Sequence, residues 1–252
     1  MDNITTSKTT ADGTAAESLE QILASIDKAF HVSFAPLNYD GKTSYEILDV
    51  DNMTAYLDAL AASARVKNPL KELPIWAKVW PGSFVLETYL RKKVECAGKT
   101  MLELGAGVGV LSLLASRLGF AHITASDVEE NALLFMKANV LKNQLGDVID
   151  VLSIDVTKPG KDPRLEKPFD VVCASEILYL DELHTPLLNF LGRHMAEGGQ
   201  AVFCTDMARR KPHFAKKAAK KFKVQEMYLP GSFTDPEGEV HKRLYSLLIL
   251  QK

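Results

Sequence analysis

Three alternate glycines, Gly105, Gly107 and Gly109, lie between two apolar runs, and this turn constrains the chain more than any other feature. The run before it, TMLEL (100–104), has the length and content of a strand. The run after it, ending near Leu118, reads as a buried helix. Glycine lets the backbone turn tightly and approach a bound molecule closely. The helix start then presents N–H groups that have no intrahelical partner. A Gly-x-Gly-x-Gly string alone is weak evidence, but a strand before it and a helix after it give the context of a loop that cradles a nucleoside-bearing ligand. Asp127 strengthens that reading. It ends the next strand, about 20 residues on, where a carboxylate accepts from ribose hydroxyls.

The rest of the chain supplies the fold such a loop needs. From Lys99 onward, apolar runs of strand length alternate with helical ones. Strands are predicted over 100–104, 122–127, 148–155, 169–175 and 200–206, with helices over 129–142, 181–195 and 212–221. Two closing strands, 222–229 and 243–250, are joined by a Gly/Pro/Asp-rich segment too short for a helical crossover, so this last pair is antiparallel. The prediction is an α/β fold: a Rossmann-like seven-stranded sheet, parallel with a C-terminal antiparallel strand pair, covered by helices on both faces. Residues 1–16 offer nothing to bury and read as a disordered tail. Residues 17–75 read as an N-terminal accessory segment, with a helix over 17–30, strand-like alternation over 31–50, and a helix over 51–66 capped by Asp51 or Asn52. Residues 76–252 form the ligand-binding domain.

Composition sets the class. The chain has 252 residues, 46% of them apolar and 25% charged, enough to bury a core without a disulfide or metal staple. Lys and Arg number 30 against 32 Asp and Glu, for a net charge of −2, which argues against a dedicated nucleic-acid binder. The cysteines Cys96, Cys173 and Cys204 cannot all pair within one chain, which fits a reducing, cytoplasmic setting. The first sixteen residues lack the apolar core of a signal peptide, and the longest apolar stretch, Val108 to Phe120, is too short to span a membrane. No His–His or His–Cys spacing suggests a metal site. The basic run from Arg209 to Lys223 reads as a solvated helix face.

Two ligand classes share the glycine-turn geometry. Dinucleotides favour Gly-x-Gly-x-x-Gly, whereas this chain has Gly-x-Gly-x-Gly with Glu103 two residues ahead. LELGAGVG (102–109) resembles motif I of the seven-β-strand (class I) S-adenosylmethionine-dependent methyltransferases, whose sheet also ends in an antiparallel pair. No dehydrogenase-type Ser…Tyr-x-x-x-Lys constellation accompanies it. The resemblance implies S-adenosyl-L-methionine as cofactor and S-adenosyl-L-homocysteine as product. It places Glu103 near the methionine end and Gly105, Ala106 and Gly107 beneath the cofactor. It places Asp127 and Val128 at the ribose edge, Asp155 and Val156 at the adenine, and Ala174 and Ser175 beside the methyl-transfer site.

The stretch after the fourth strand bears on the substrate. Ala174-Ser175-Glu176-Ile177-Leu178-Tyr179 lacks the paired prolines of enzymes that methylate adenine or glutamine amides. It also lacks the metal-binding carboxylates of catechol-type enzymes. Glu176-x-x-Tyr179 resembles the (Asp/Glu)-x-x-(Tyr/Phe) motif of the protein-lysine methyltransferase group. LPIWAKVWPGSFVLETYL (73–90) resembles that group's tryptophan-containing entry segment, which nicotinamide N-methyltransferase-like relatives also carry, and Trp80 matches the tryptophan that lies over the cofactor. The resemblance covers about residues 30–250. Two departures stand out: Asp155-Val156 replaces the frequent Asp-Trp, and the acid is Glu176 rather than Asp. The resemblance implies an N-methyltransferase acting on a protein lysine, with Glu176 and Tyr179 as the catalytic pair, Glu176 orienting the amine and Tyr179 walling its channel. A small amine or heteroaromatic nitrogen as substrate, a non-catalytic cofactor binder and a dinucleotide oxidoreductase stay open as alternatives. Trp76 is divided evenly between core and site, and the N-terminal segment is expected to help cover the site.

Overall fold

The computed structural model describes residues 17–39, 43–62, 73–234 and 240–252, and the tail expected over 1–16 lies outside them. In chain order the elements are α1 (Leu19–Ser25), β1 (Val32–Tyr39), β2 (Thr43–Val50), α2 (Met53–Ala62), α3 (Gly82–Lys93), β3 (Thr100–Leu104), α4 (Val110–Ala115), β4 (His122–Asp127), α5 (Glu130–Lys142), β5 (Ile149–Ser153), β6 (Phe169–Ser175), α6 (His184–His194), β7 (Met195–Asp206), α7 (Pro212–Ala218), β8 (Lys223–Thr234) and β9 (Val240–Gln251). Seven strands form one sheet in the order β5-β4-β3-β6-β7-β9-β8. All neighbours are parallel except β9, which runs antiparallel to both β7 and β8. This is the sheet that the alternating runs predict.

Side-chain alternation along the strands divides the core in two. Met101, Val171, Cys173, Val202 and Cys204 join one buried cluster, with Leu86 and Leu90 of α3, Leu111 of α4 and Phe135 of α5. Leu102, Leu104, Val172, Ala174 and Phe203 join the other, with Leu187 and Leu191 of α6 and Phe214 of α7. Both faces are therefore covered, which is what a parallel sheet requires. The chain leaves β3 in one direction through β4 and β5, then returns to the opposite side of β3 as β6. That reversal opens a crevice at the carboxyl ends of β3 and β6, where open α/β sheets bind ligands.

The N-terminal elements dock on α5. Strands β1 and β2 form a separate antiparallel hairpin. Asn139 of α5 is fully buried; its Oδ1 accepts from Leu48 N at 2.7 Å and its Nδ2 donates to Val108 O at 2.8 Å. One side chain thus ties the hairpin to the glycine turn. Asn143 adds a reciprocal pair with the Glu46 backbone, at 3.0 and 2.7 Å. Helix α1 starts at a capping box between Ser18 and Gln21 and ends at Ser25, short of the predicted 30, because Ile26 is extended. Asn52 stands at the predicted N-cap position of α2, its C=O accepting from Tyr56 N at 2.9 Å, but its side chain turns to the hairpin instead. Its Oδ1 accepts from His31 N at 2.8 Å, closing the base of the hairpin. No helix among the described residues is long and apolar enough to cross a membrane.

Candidate active site

The crevice is a cavity of about 510 Å³. Small-molecule sites usually measure roughly 300–1,000 Å³. Of the thirteen residues singled out from the sequence, twelve line it: Trp80, Glu103, Gly105, Ala106, Gly107, Asp127, Val128, Asp155, Val156, Ser175, Glu176 and Tyr179. Ala174 does not. It is 1% exposed and lies in the cluster under α6 and α7, because successive strand residues face opposite sides of the sheet and Ser175 takes the cavity side. Of the N-terminal segment, only its last described stretch reaches the site, through Leu73 and Ile75. Among the described residues, none before Leu73 lines the cavity, since the hairpin is bound to α5 instead.

The glycine turn forms the floor. Gly105 and Gly107 have φ of +63° and +56°, in the left-handed region that side chains disfavour. A Cβ at Gly105 would stand 2.6 Å from Ile177 Cγ2, and one at Gly107 would stand 2.5 Å from Trp76 O. The turn therefore packs directly against the segment after β6 and against the tryptophan segment. Asp127 holds it from the side. Its Oδ2 accepts from Gly107 N at 2.9 Å, while Oδ1 accepts from Val128 N at 2.7 Å and Glu129 N at 3.1 Å. Val128 is 61% exposed, an apolar side chain left open at the cavity rim. Across from it, Asp155 Oδ1 accepts from Thr157 N and Oγ1, and these bonds hold its carboxyl below the usual carboxylate range.

Glu103 is buried under the turn. Its Oε2 accepts from Ser112 N at 2.9 Å and Oγ at 2.6 Å. Burial pushes its carboxyl up from 4.5 to about 7; the Ser112 bonds pull the other way and the Asp127 charge adds to the rise. The folded chain thus holds this proton more tightly than the unfolded chain. Stability from this group is intact below about 4.5, declines as pH rises, and is lost above about 7. Glu103→Gln keeps an acceptor for Ser112 and removes the buried charge. Its melting temperature should match the native protein near pH 4.5 and exceed it increasingly up to pH 7, by a stabilisation on the order of 3 kcal/mol. A constant difference across that range would contradict this assignment.

Glu176 and Tyr179 both reach the cavity but meet different neighbours. Glu176 is a non-glycine residue at φ +59°. Its Oε1 accepts from Asp206 N at 2.9 Å, and Arg209 holds both oxygens, with Nη2–Oε1 at 2.8 Å and Nε–Oε2 at 3.0 Å. The Tyr179 hydroxyl is held above its usual range by burial and by the charges of Asp127 and Glu129. Trp80 donates from Nε1 to Ile75 O at 3.0 Å, and both Lys78 and Arg209 lie over its ring. Trp76, evenly divided in the sequence reading, does both jobs: it lines the cavity and packs edge-on against Phe30 and Phe135.

Sequence reasoning missed Arg209, Ile177 and Thr205. The basic run is not simply a solvated face. At its head Arg209 holds Glu176, Arg210 holds Glu226 and Lys211 holds Asp181. His184, by contrast, is a core histidine bonded to Leu178 O.

Comparison with known proteins finds relatives in sequence and in fold. The chain is 30% identical over 182 residues to the protein N-lysine methyltransferase METTL21A of Danio rerio, spanning 70% of this chain and 80% of that protein. It is 28% identical over 139 residues to the ribosomal protein L11 methyltransferase of Thermotoga maritima, spanning 54% and 46%. Among solved structures, precorrin-6y C5,15-methyltransferase from Geobacter metallireducens superposes with a TM-score of 0.54 at 15% identity, covering 68% of this chain and 87% of that one. Precorrin 8W decarboxylase from Methanobacterium thermoautotrophicum gives 0.52 at 15% identity, covering 69% and 91%. These two likenesses establish the fold alone. The family model described as lysine methyltransferase matches residues 62–222. With the glycine turn, Asp127 and the Glu176–Tyr179 stretch around one cavity, this chain belongs to the lysine methyltransferase family.

Proposed function

We propose that this chain transfers the methyl group of S-adenosylmethionine to the side-chain amine of a lysine in a protein. One observation carries the reading: the glycine turn, Asp127 and the Glu176–Tyr179 stretch open into the same cavity. When bound, S-adenosylmethionine supplies a methyl group on a sulfonium sulfur, open to in-line displacement by a nitrogen lone pair.

The residues present fit that group. Ser175 Oγ is buried without a hydrogen-bond partner at the cavity wall, a polar atom that calls for a ligand. The left-handed glycines let the turn lie flat beneath a ligand where side chains would crowd it. Asp127 presents acceptors for the ribose hydroxyls. Val128, Ile154 and Val156 make an apolar slot for the adenine, with Asp155 at its edge. Glu103 and Trp80 flank the methionine end. Glu176 attracts and orients the incoming amine. Tyr179, kept protonated by its surroundings, walls the channel and aligns the nitrogen, which reacts once its proton has gone to solvent.

A protein substrate is supported by the two groups of relatives, whose names specify protein targets. The carboxylates that occupy Arg209, Arg210 and Lys211 weigh against nucleic acid. The free, buried cysteines Cys96, Cys173 and Cys204 favour the cytoplasm. We assign residues 17–75 an accessory role in bracing α5 and the glycine turn, carried by Asn139. Isothermal titration tests the cofactor assignment. S-adenosylhomocysteine should bind and NADH should not, while preference for NADH, or binding of neither, would overturn it.

A further inference from the structure

Arg209 plays no part in the methyl-transfer scheme, yet it occupies the scheme's central carboxylate. Its guanidinium grips both Glu176 oxygens, lies 5.5 Å from the centroid of the Trp80 ring and stands 3.8 Å from Asp206 Oδ2. The Glu176 side chain is 8% exposed and that of Arg209 is 44% exposed, so a solvent-side cation reaches inward to an enclosed anion. Lys78 Nζ also lies over the ring, at 5.1 Å. Among the described contacts, only Arg209 bridges ring and carboxylate. A substrate lysine brings the same chemistry: a cation on an aliphatic stem, drawn to a carboxylate and an aromatic face.

Building on the methyltransferase reading above, we propose that Arg209 occupies the seat of the substrate ammonium in the resting enzyme, and that an arriving lysine displaces it from Glu176 and Trp80. Two features suit the exchange. Glu176 keeps its bond from Asp206 N when Arg209 leaves, so the carboxylate stays aimed. The departing guanidinium has Asp206 beside it, although that carboxylate also holds Arg243 at 3.0 Å. Arg209 thereby sets specificity, because only a cation that satisfies both Glu176 and Trp80 repeats its contacts. Substrate affinity is correspondingly reduced by the cost of displacement.

The probe is n-butylammonium chloride, a lysine side-chain mimic, titrated into protein saturated with S-adenosylhomocysteine. The readout is the fluorescence of Trp76 and Trp80, the two tryptophans of the chain. Arg209→Gln should bind the probe about tenfold more tightly than the native protein, a difference of about 1.4 kcal/mol. Adding Glu176→Gln should remove the gain. Equal or weaker binding by an Arg209→Gln protein with native S-adenosylhomocysteine affinity and melting temperature overturns the proposal. Arg209→Lys gives a second readout that keeps the charge. A lysine in that seat should itself accept the methyl group: its nitrogen lone pair forms the new N–C bond, the C–S bond breaks, S-adenosylhomocysteine leaves and a proton passes to solvent. Peptide mass mapping should find methyl groups at position 209, formed at a rate independent of protein concentration. An unmodified position 209 in a preparation that methylates lysate protein overturns the proposal. Failure of the native protein to bind S-adenosylhomocysteine contradicts instead the methyltransferase reading beneath it.

Discussion

Asp127→Ala is expected to weaken S-adenosylhomocysteine binding by roughly 100-fold, corresponding to about 3 kcal/mol. The native carboxylate is 9% exposed and holds three backbone N–H groups, those of Gly107, Val128 and Glu129. Alanine removes the proposed ribose acceptor and, in the same step, frees the turn proposed to lie beneath the cofactor. Asp127→Asn separates the two effects. It keeps the volume and one acceptor but turns a donor toward one N–H, so its loss should be intermediate. Calorimetric titration measures both variants. Native affinity in Asp127→Ala would contradict the placement of the ribose.

Gly107→Ala should be the most destabilising single-methyl change in the turn. A Cβ there would meet the backbone oxygen of Trp76 at 2.5 Å, at a φ of +56°. Left-handed strain costs about 1–2 kcal/mol and overpacking about 1–3 kcal/mol. A total near 3 kcal/mol lowers the melting temperature by roughly 6–12 °C for a chain of this size. The comparison is Gly109→Ala. Its φ is also left-handed, at +81°, but its Cβ would meet Met136 Cγ at 3.1 Å, the middle of an unbranched side chain that can turn about its own bonds where a backbone oxygen cannot. That variant should lose about half as much or less. Equal losses at the two positions would show that close backbone approach is not what Gly107 provides.

These predictions rest on features that were legible in the sequence to different degrees. The order of strands and helices was readable because side-chain period is a local property. Strands 122–127 and 169–175 carry the same bounds in the structure as in the sequence reading. The glycine turn and Asp127 were readable for a similar reason, since left-handed glycines and a strand-end carboxylate need only their own neighbours. Arg209 was not readable. It lies in a run of basic residues whose composition suggests solvent, and its partner Glu176 is distant in sequence. The two meet because β6 and β7 are adjacent parallel strands with Ser175 opposite Cys204, so the segments that leave their ends converge. Ala174 failed for a simpler reason. The motif names a stretch of chain, whereas strand alternation sends its side chains to opposite faces, and only Ser175 reaches the cavity. The N-terminal segment was recognised as separate from the sheet. Its docking on α5 depends on Asn139 and Asn143, two polar residues on a helix that sequence alone gives no reason to pair with a hairpin.

The roles proposed for Glu176, Tyr179 and Arg209 all depend on methylation of a lysine in a protein. The most direct measurement is incubation of purified protein with methyl-labelled S-adenosylmethionine and lysate of its own host, followed by separation of protein from small molecules and mass spectrometry of any labelled band. The expected result is a discrete labelled protein that carries methyl-lysine. Label confined to the small-molecule fraction, or methyl groups on a residue other than lysine, would contradict it.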